Sequence, residues 1–247
     1  MNLEIFFEIH QGLPREGPGN FESTQKAYSL LKDLPSQPLI LDLGCGPGMQ
    51  TLDLLKLSNG TVIAVDNHQP FLDQLQTEAE KQGVLDRVQI VNADMSALEF
   101  EENHFDVIWA EGSAYSIGFE NALSSWKPLL KQGGYLAVTE VSWLAPNPPQ
   151  KAQQFWDAEY PQMQDVESNR AKIQQAGYKE IGYFVLPEST WWTYYYTPLE
   201  PKLKTLSQKY KDNPEKLEVI ELHQLEIDIY RQYSDYYGYV FYIMQRN

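Results

Sequence analysis

The sequence holds one cysteine, Cys45, in 247 residues, so no disulfide can close within the chain. That usage fits a reducing compartment. Basic residues are also scarce: 19 Lys+Arg stand against 34 Asp+Glu, a net charge of −15. Such a field repels polyanions, and no window carries a dense Lys/Arg run, so a nucleic-acid partner is not expected. Four histidines (His10, His68, His104 and His223) are scattered, without paired His or Cys spacing. No metal site is expected from them. No apolar run reaches the ~18–20 residues that span a bilayer. The N-terminal stretch is interrupted by Glu4 and Glu8 and does not read as a signal peptide. A cytoplasmic protein is expected. No internal repeat and no low-complexity tract is visible.

What is present is an ordinary globular composition, 43% hydrophobic and 13% aromatic, with one alternation running through its first 145 residues. A helix is expected over 22–34. A short apolar strand, 39–43, runs into Gly44-Cys45-Gly46-Pro47-Gly48, and a helix follows it. Strands are expected at 61–66, 88–91, 105–110 and 135–139, with helices over 70–82 and 119–131, the last ending at Gly133-Gly134. Strands and helices alternating in this way predict an α/β fold: a Rossmann-like, doubly wound sheet of about seven strands. Ligands of such sheets sit outside the carboxyl ends of the strands. Those ends carry the glycine turn, Asp66, Asp94 and Glu111.

The second half differs. Residues 150–176 read as largely helical, 183–186 as a strand, 200–212 and 214–234 as helices, and 237–244 as a final, antiparallel strand. The segment 187–234 then stands as a helical, aromatic-rich insertion, and ten of the 16 tyrosines follow residue 187. The chain is read as one domain, 1–247, with a ligand-binding core over 36–145 and a C-terminal half over 146–247. Arg15, Gly17 and Gly19 read only as a loop.

The glycine turn carries the chemistry. Its spacing, Gly44-x-Gly46-x-Gly48 with Met49 following, departs from the Gly-x-Gly-x-x-Gly dinucleotide pattern. No Gly-Lys-Ser/Thr follows, so it is not a P-loop. Leu41-Asp42-Leu43-Gly44-Cys45-Gly46-Pro47-Gly48 resembles motif I of the class I S-adenosylmethionine-dependent methyltransferases. Asp66 resembles the acid that holds the ribose hydroxyls. Asn92-Ala93-Asp94-Met95 resembles the motif whose acid meets the adenine amino group. Phe105 to Ile108 and Trp126 to Gly134 resemble the fourth-strand motif and the turn before the fifth strand. The match covers about residues 36–145 and is similar to the small-molecule, ubiquinone-biosynthesis-like branch. Gly17 to Thr24 and Tyr236 to Ile243 are similar to an uncharacterised bacterial group.

The resemblance implies S-adenosylmethionine as cofactor, with S-adenosylhomocysteine as product, and methyl transfer to O, N or C of a small molecule. It implies Asp42, Gly44, Cys45, Gly46, Asp66, Asn67, Asp94, Met95 and Glu111 around the cofactor. Free amides of the glycine turn would suit its carboxylate. Glu111, Tyr115 and His68 are candidate bases by placement. Tyr115, Trp191, Trp192 and Tyr194 are candidate acceptor-wall residues, although Trp191 and Trp192 read equally well as core of the insertion. Cys45 reads as a small turn residue and not a nucleophile. The alternatives are an aminopropyl-type transferase on the same fold or a non-catalytic cofactor-binding regulator. A homo-oligomer is admitted.

Overall fold

The computed structural model describes residues 2–247. The first element precedes the helix over 22–34 with which the expected elements begin. Helix α1 (Leu3–His10) is capped by Asn2, whose side chain accepts from the Ile5 amide. Ile5 and Ile9, one turn apart, are fully buried, while Glu4 and Glu8 face outward to Lys216 and Lys209. Helix α2 (Phe21–Ser29) is capped by Asn20 and is shorter than expected, since Asp33 already lies in the left-handed region (φ 52°).

Strand β1 (Leu39–Leu43) then leads through the glycine turn into α3 (Met49–Leu57). β2 (Thr61–Asp66), α4 (Gln69–Lys81), β3 (Val88–Asn92) and β4 (Phe105–Ala110) follow. Helix α5 (Phe119–Trp126) stops earlier than expected. Pro128 disfavours helix in the residue before it, and one 3-10 turn passes directly into β5 (Leu130–Trp143). Gly133-Gly134 therefore lies inside a strand and is not a helix cap. The β4–β5 register shifts between Phe105 and Val107, and a Cβ on Gly134 would stand 3.1 Å from the Asp106 carbonyl. Glycine suits such a bulge because the neighbouring backbone approaches so closely.

The stretch expected as largely helical over 150–176 is α6 (Gln150–Glu159) and α7 (Val166–Gln175), separated by the two-residue strand β6 (Gln164–Asp165). β7 (Tyr178–Val185) begins earlier than expected. Then come the short α8 (Ser189–Trp191), a π-helical turn (Trp192–Tyr196), α9 (Thr197–Lys209) and α10 (Pro214–Tyr233). β8 (Tyr237–Arg246) closes the chain.

The sheet order is β3-β2-β1-β4-β5-β8-β7, with β6 beside β5, making eight strands. Every pairing is parallel except those of β8, which is antiparallel to β5 and β7. The order reverses between β1 and β4, and that switch point opens a crevice at their carboxyl ends. Two buried clusters cover the sheet. One packs Ile5, Leu54, Leu75, Trp191 and Ile227 on one face; the other packs Phe119, Trp126 and Ile173 on the opposite face. No helix among the described residues is long and apolar enough to cross a membrane.

Candidate functional site

The glycine turn needs its glycines: Gly44, Gly46 and Gly48 all have positive φ (68°, 52° and 89°), where a Cβ is strained. The expectation of free amides is corrected here. The Gly44 and Cys45 amides both donate to the Val65 carbonyl at 2.9 and 3.0 Å, and Gly48 donates to Cys45 at 3.0 Å. The Gly46 amide donates to Asp66 Oδ2 at 2.9 Å. The turn is thus satisfied internally, and its role is to bring backbone close to the crevice without side chains.

Beside it lies a cavity of about 610 Å³ at the ends of β2 and β3, lined by Asp66, Asn67, Asp94, Met95, Ser116 and Ile117 among others. Four of the residues expected around the cofactor therefore meet in one cleft. Asp66 Oδ1 accepts from the His68 amide at 2.9 Å, and each oxygen keeps further acceptor capacity. Asp94 accepts from the Ser96 amide and hydroxyl through Oδ1 alone. Those bonds hold its pKa below the ordinary value.

Other candidates sit differently. Asp42 is fully buried beneath the turn. Its Oδ2 accepts from Thr51 at 2.5 Å, its Oδ1 has no partner, and burial pushes its pKa up to about 7. Cys45 is fully buried, its sulfur against the Gly46 carbonyl, so its side chain stays out of the cleft. Glu111 has no free carboxylate oxygen to act as a base. Oε1 accepts from Trp109 Nε1 and Thr24 Oγ1, both at 2.8 Å, and Oε2 pairs with Arg15 at 2.6 Å. This pair clamps the N-terminal segment onto the end of β4, and Arg15, read from the sequence as loop, is only 4% exposed. Arg15 Nε and Nη1 have no partner. His68 stacks on Phe7 with ring centroids 3.6 Å apart, an arrangement that occupies it in packing.

Tyr115, next to Ser116 of the cleft wall, keeps 46% of its surface accessible, and its ring meets Tyr160 edge to face at 6.1 Å. Glu140, at 2% exposure, accepts from Tyr160 at 2.6 Å and leaves Oε2 unpartnered. Glu226 accepts from Tyr196 at 2.8 Å. Burial pushes both carboxyls up to about 7 and Glu16 up to about 9. Glu16 Oε2 lies 2.6 Å from His10 Nδ1, and His10 Nε2 lies 3.1 Å from His223 Nε2. Burial holds both imidazoles down to about 4.

The aromatic run does not present Tyr194 to the cleft. Tyr195 is buried, stacked on Tyr196 at 5.0 Å and on His10 at 6.3 Å. Tyr194 instead faces a separate depression with Pro14 and Met49. Trp191 is 1% exposed and stacked on Tyr230 at 4.1 Å, which makes it core of the insertion. Trp192 faces outward, donating to Glu188, with Arg231 over its ring. The irregular π-turn sets this register, and no periodicity rule gives it. Arg15, Glu16, Glu140, Glu226, Tyr160 and Tyr239 carried no motif.

Residues 40–134 match the family model described as a methyltransferase domain. Sterol 24-C-methyltransferase ERG6 of Saccharomyces cerevisiae is 31% identical over 103 residues, 41% of this chain and 27% of that protein. The ubiquinone/menaquinone biosynthesis C-methyltransferase UbiE of Shewanella sp. (strain W3-18-1) is 32% identical over 146 residues, 50% of this chain and 58% of that protein. The chain thus spans about a quarter to just over half the length of these two curated relatives. A Geobacter sulfurreducens SAM-dependent methyltransferase, crystallised with S-adenosyl-L-homocysteine, superposes with a TM-score of 0.83 at 19% identity, covering 99% of this chain and 98% of that one. Residues 40–134 are thus similar to a methyltransferase domain, and the chain as a whole shares the Rossmann-like fold of that solved methyltransferase.

Proposed function

We propose that this protein is an S-adenosylmethionine-dependent methyltransferase acting on a small molecule. The observation that carries the reading is the cleft at the ends of β2 and β3, where Asp66, Asn67, Asp94 and Met95 converge beside the left-handed glycine turn. The groups left unsatisfied there complement the cofactor. A ribose diol needs carboxylate acceptors, which Asp66 offers. An adenine amino group needs an acceptor, which Asp94 Oδ2 offers, and Met95 gives its ring apolar contact. The cofactor, when bound, supplies a methyl group already activated on a sulfonium.

The chain's own task is then alignment. Ordered approach of two reactants supplies ~7–11 kcal/mol. The Arg15–Glu111 clamp closes the N-terminal segment over the glycine turn, with Glu16 Cγ 3.3 Å from where a Cβ on Gly46 would stand. The acceptor is received beside Tyr115, which is exposed next to Ser116 of the cleft wall. A cytoplasmic setting fits the lone, buried Cys45.

Calorimetric titration with S-adenosylhomocysteine tests the reading. Asp66→Ala is expected to weaken binding more than tenfold, since the carboxylate that would hold both ribose hydroxyls is lost. Unchanged affinity removes the ribose assignment. Transfer of a labelled methyl group to a metabolite pool separates an enzyme from a binder.

A further inference from the structure

The N-terminal segment that covers the glycine turn is fastened at a second point, by a line of imidazole nitrogens. Residues 11–20 form a strap from α1 to α2, and Glu16 in its middle packs Cγ toward Gly46. Glu16 Oε2 lies 2.6 Å from His10 Nδ1, and His10 Nε2 lies 3.1 Å from His223 Nε2. His223 Nδ1 in turn lies 2.7 Å from the Val219 carbonyl, one turn back on α10. The strap, α1 and α10 thus meet in one chain of contacts. Both imidazoles are buried, so bulk water does not complete their bonding.

Donors and acceptors fix the proton count along that chain. A carbonyl only accepts, so His223 Nδ1 carries hydrogen. Nε2 of the neutral His223 then accepts, and His10 Nε2 donates to it. His10 Nδ1 is left with a lone pair facing Glu16 Oε2. Two lone pairs 2.6 Å apart repel, so one proton lies between them. An imidazolium could hold it, but no ring N–H of His10 is aligned on that oxygen, and burial opposes charge on the ring. The proton therefore sits on Glu16, whose own burial favours the neutral acid. The other charges that face the cluster act in both directions. Asp66, bonded to the Gly46 amide, disfavours a carboxylate at Glu16. Lys202, bonded to the Gln11 carbonyl, favours it and opposes charge on His10. Arg15, the next charge on the strap, is engaged by Glu111. The hydroxyls of Tyr115 and Tyr195 are raised above their ordinary range and stay neutral.

We propose that Glu16, His10 and His223 form a proton-held latch, which keeps the strap down over the glycine turn while the Glu16–His10 pair holds one proton and frees the strap when that proton is lost. Lifting the strap returns Glu16 to water, where a carboxyl is ionised at neutral pH, and uncovers His10 Nδ1. Above about pH 6.5 the open pair holds no proton, so each opening releases one and rising pH favours it. The effect ends at about pH 9, where the closed pair also gives up its proton. One proton changes the closed-to-open ratio by at most about tenfold per pH unit. Between about pH 4.5 and 6.5 Glu16 still loses a proton on opening, but the freed His10 gains one. Those two contributions offset, and the strap is held most firmly in that range. The strap covers the turn beside the cofactor cleft, so the latch sets the rate of cofactor exchange. That link rests on the methyltransferase reading above, and the latch itself does not.

Amide hydrogen exchange of the whole protein, without cofactor, tests the latch. Exchange of the strap is divided by the intrinsic rate at each pH, and the amides of β1 report global opening. The Gly19 amide, bonded to the Thr190 carbonyl at 3.2 Å, reports the strap directly. In the parent, strap protection is expected to fall by about tenfold or more from pH 6.5 to 8.5, and by more than that of β1. Glu16→Gln puts an amide donor where the protonated acid stood, so its strap protection should change less than about twofold over that range. His10→Phe removes the acceptor, and strap protection should be low at every pH. Release of labelled S-adenosylhomocysteine should quicken with pH in the parent and not in Glu16→Gln; a rate indifferent to pH overturns the link to the cofactor. The latch is overturned if parent protection is flat across that range, or if it falls as steeply in Glu16→Gln. A failure to bind S-adenosylhomocysteine is read by calorimetry and removes the methyltransferase reading, whereas the exchange profiles of the cofactor-free protein decide the latch alone.

Discussion

Arg15→Met isolates the contribution of the buried clamp. The side chains of Arg15 and Glu111 are 3% and 0% exposed, with nitrogen and oxygen 2.6 Å apart. Methionine keeps most of the volume and removes the charge, leaving Glu111 with only the neutral donors Trp109 and Thr24. Removing one partner of such a buried, hydrogen-bonded pair leaves an uncompensated charge and costs ~3–5 kcal/mol. Urea unfolding reads it as a midpoint lower by on the order of 1–2 M. Adding Glu111→Gln to Arg15→Met should recover ~2 kcal/mol or more, since no unpaired charge remains. A deficit below ~1 kcal/mol at pH 7, or strictly additive effects, would refute the reasoning.

Other outcomes follow from the same geometry. Glu16, Asp42, Glu140 and Glu226 have raised pKa values, about 9 for Glu16 and about 7 for the other three. The folded state therefore holds more protons than the unfolded chain above pH 4.5, and these groups lose stability as pH rises. His10 and His223, lowered to about 4, gain stability between about pH 4 and 6.5. Above about pH 6.5 the carboxyl contribution outweighs that of the histidines, so stability falls toward pH 9, which thermal unfolding across pH would check; a flat profile over that window contradicts the assignment. Trp191→Ala should cost ~3–5 kcal/mol through lost core packing, because the ring is buried against Tyr230. It should leave the affinity for S-adenosylhomocysteine unchanged, and a variant of wild-type stability with altered acceptor choice would restore Trp191 to the acceptor wall.

The contrast between the two halves of the site has a physical origin. The cofactor cleft is built from turns at strand ends, where backbone geometry restricts residue type. Three left-handed positions demand Gly44, Gly46 and Gly48, and the ends of β2 and β3 place Asp66 and Asp94 beside them. Such constraints leave a readable pattern of spacing. The same local logic misled at Gly133-Gly134, because glycine serves a bulge as well as a helix end.

The buried acids have no such pattern. Glu16, Glu140 and Glu226 are far apart in sequence, and each reads alone as a solvated acid. Glu140 is placed by β5, Glu226 by α10, and Glu16 by the segment that the Arg15–Glu111 pair holds down. One signal for the N-terminal part was present, since Ile5 and Ile9 lie one helical turn apart with Glu4 and Glu8 on the other side. That stripe argued for a docked helix, and a docked helix makes the following loop an ordered strap. Once the strap is ordered, Glu16 must lie over the glycine turn rather than in solvent. The net charge of −15 then divides into two kinds. Most acids are solvated, but a few, such as Asp42 and Glu140, are buried, and burial rather than composition governs their charge.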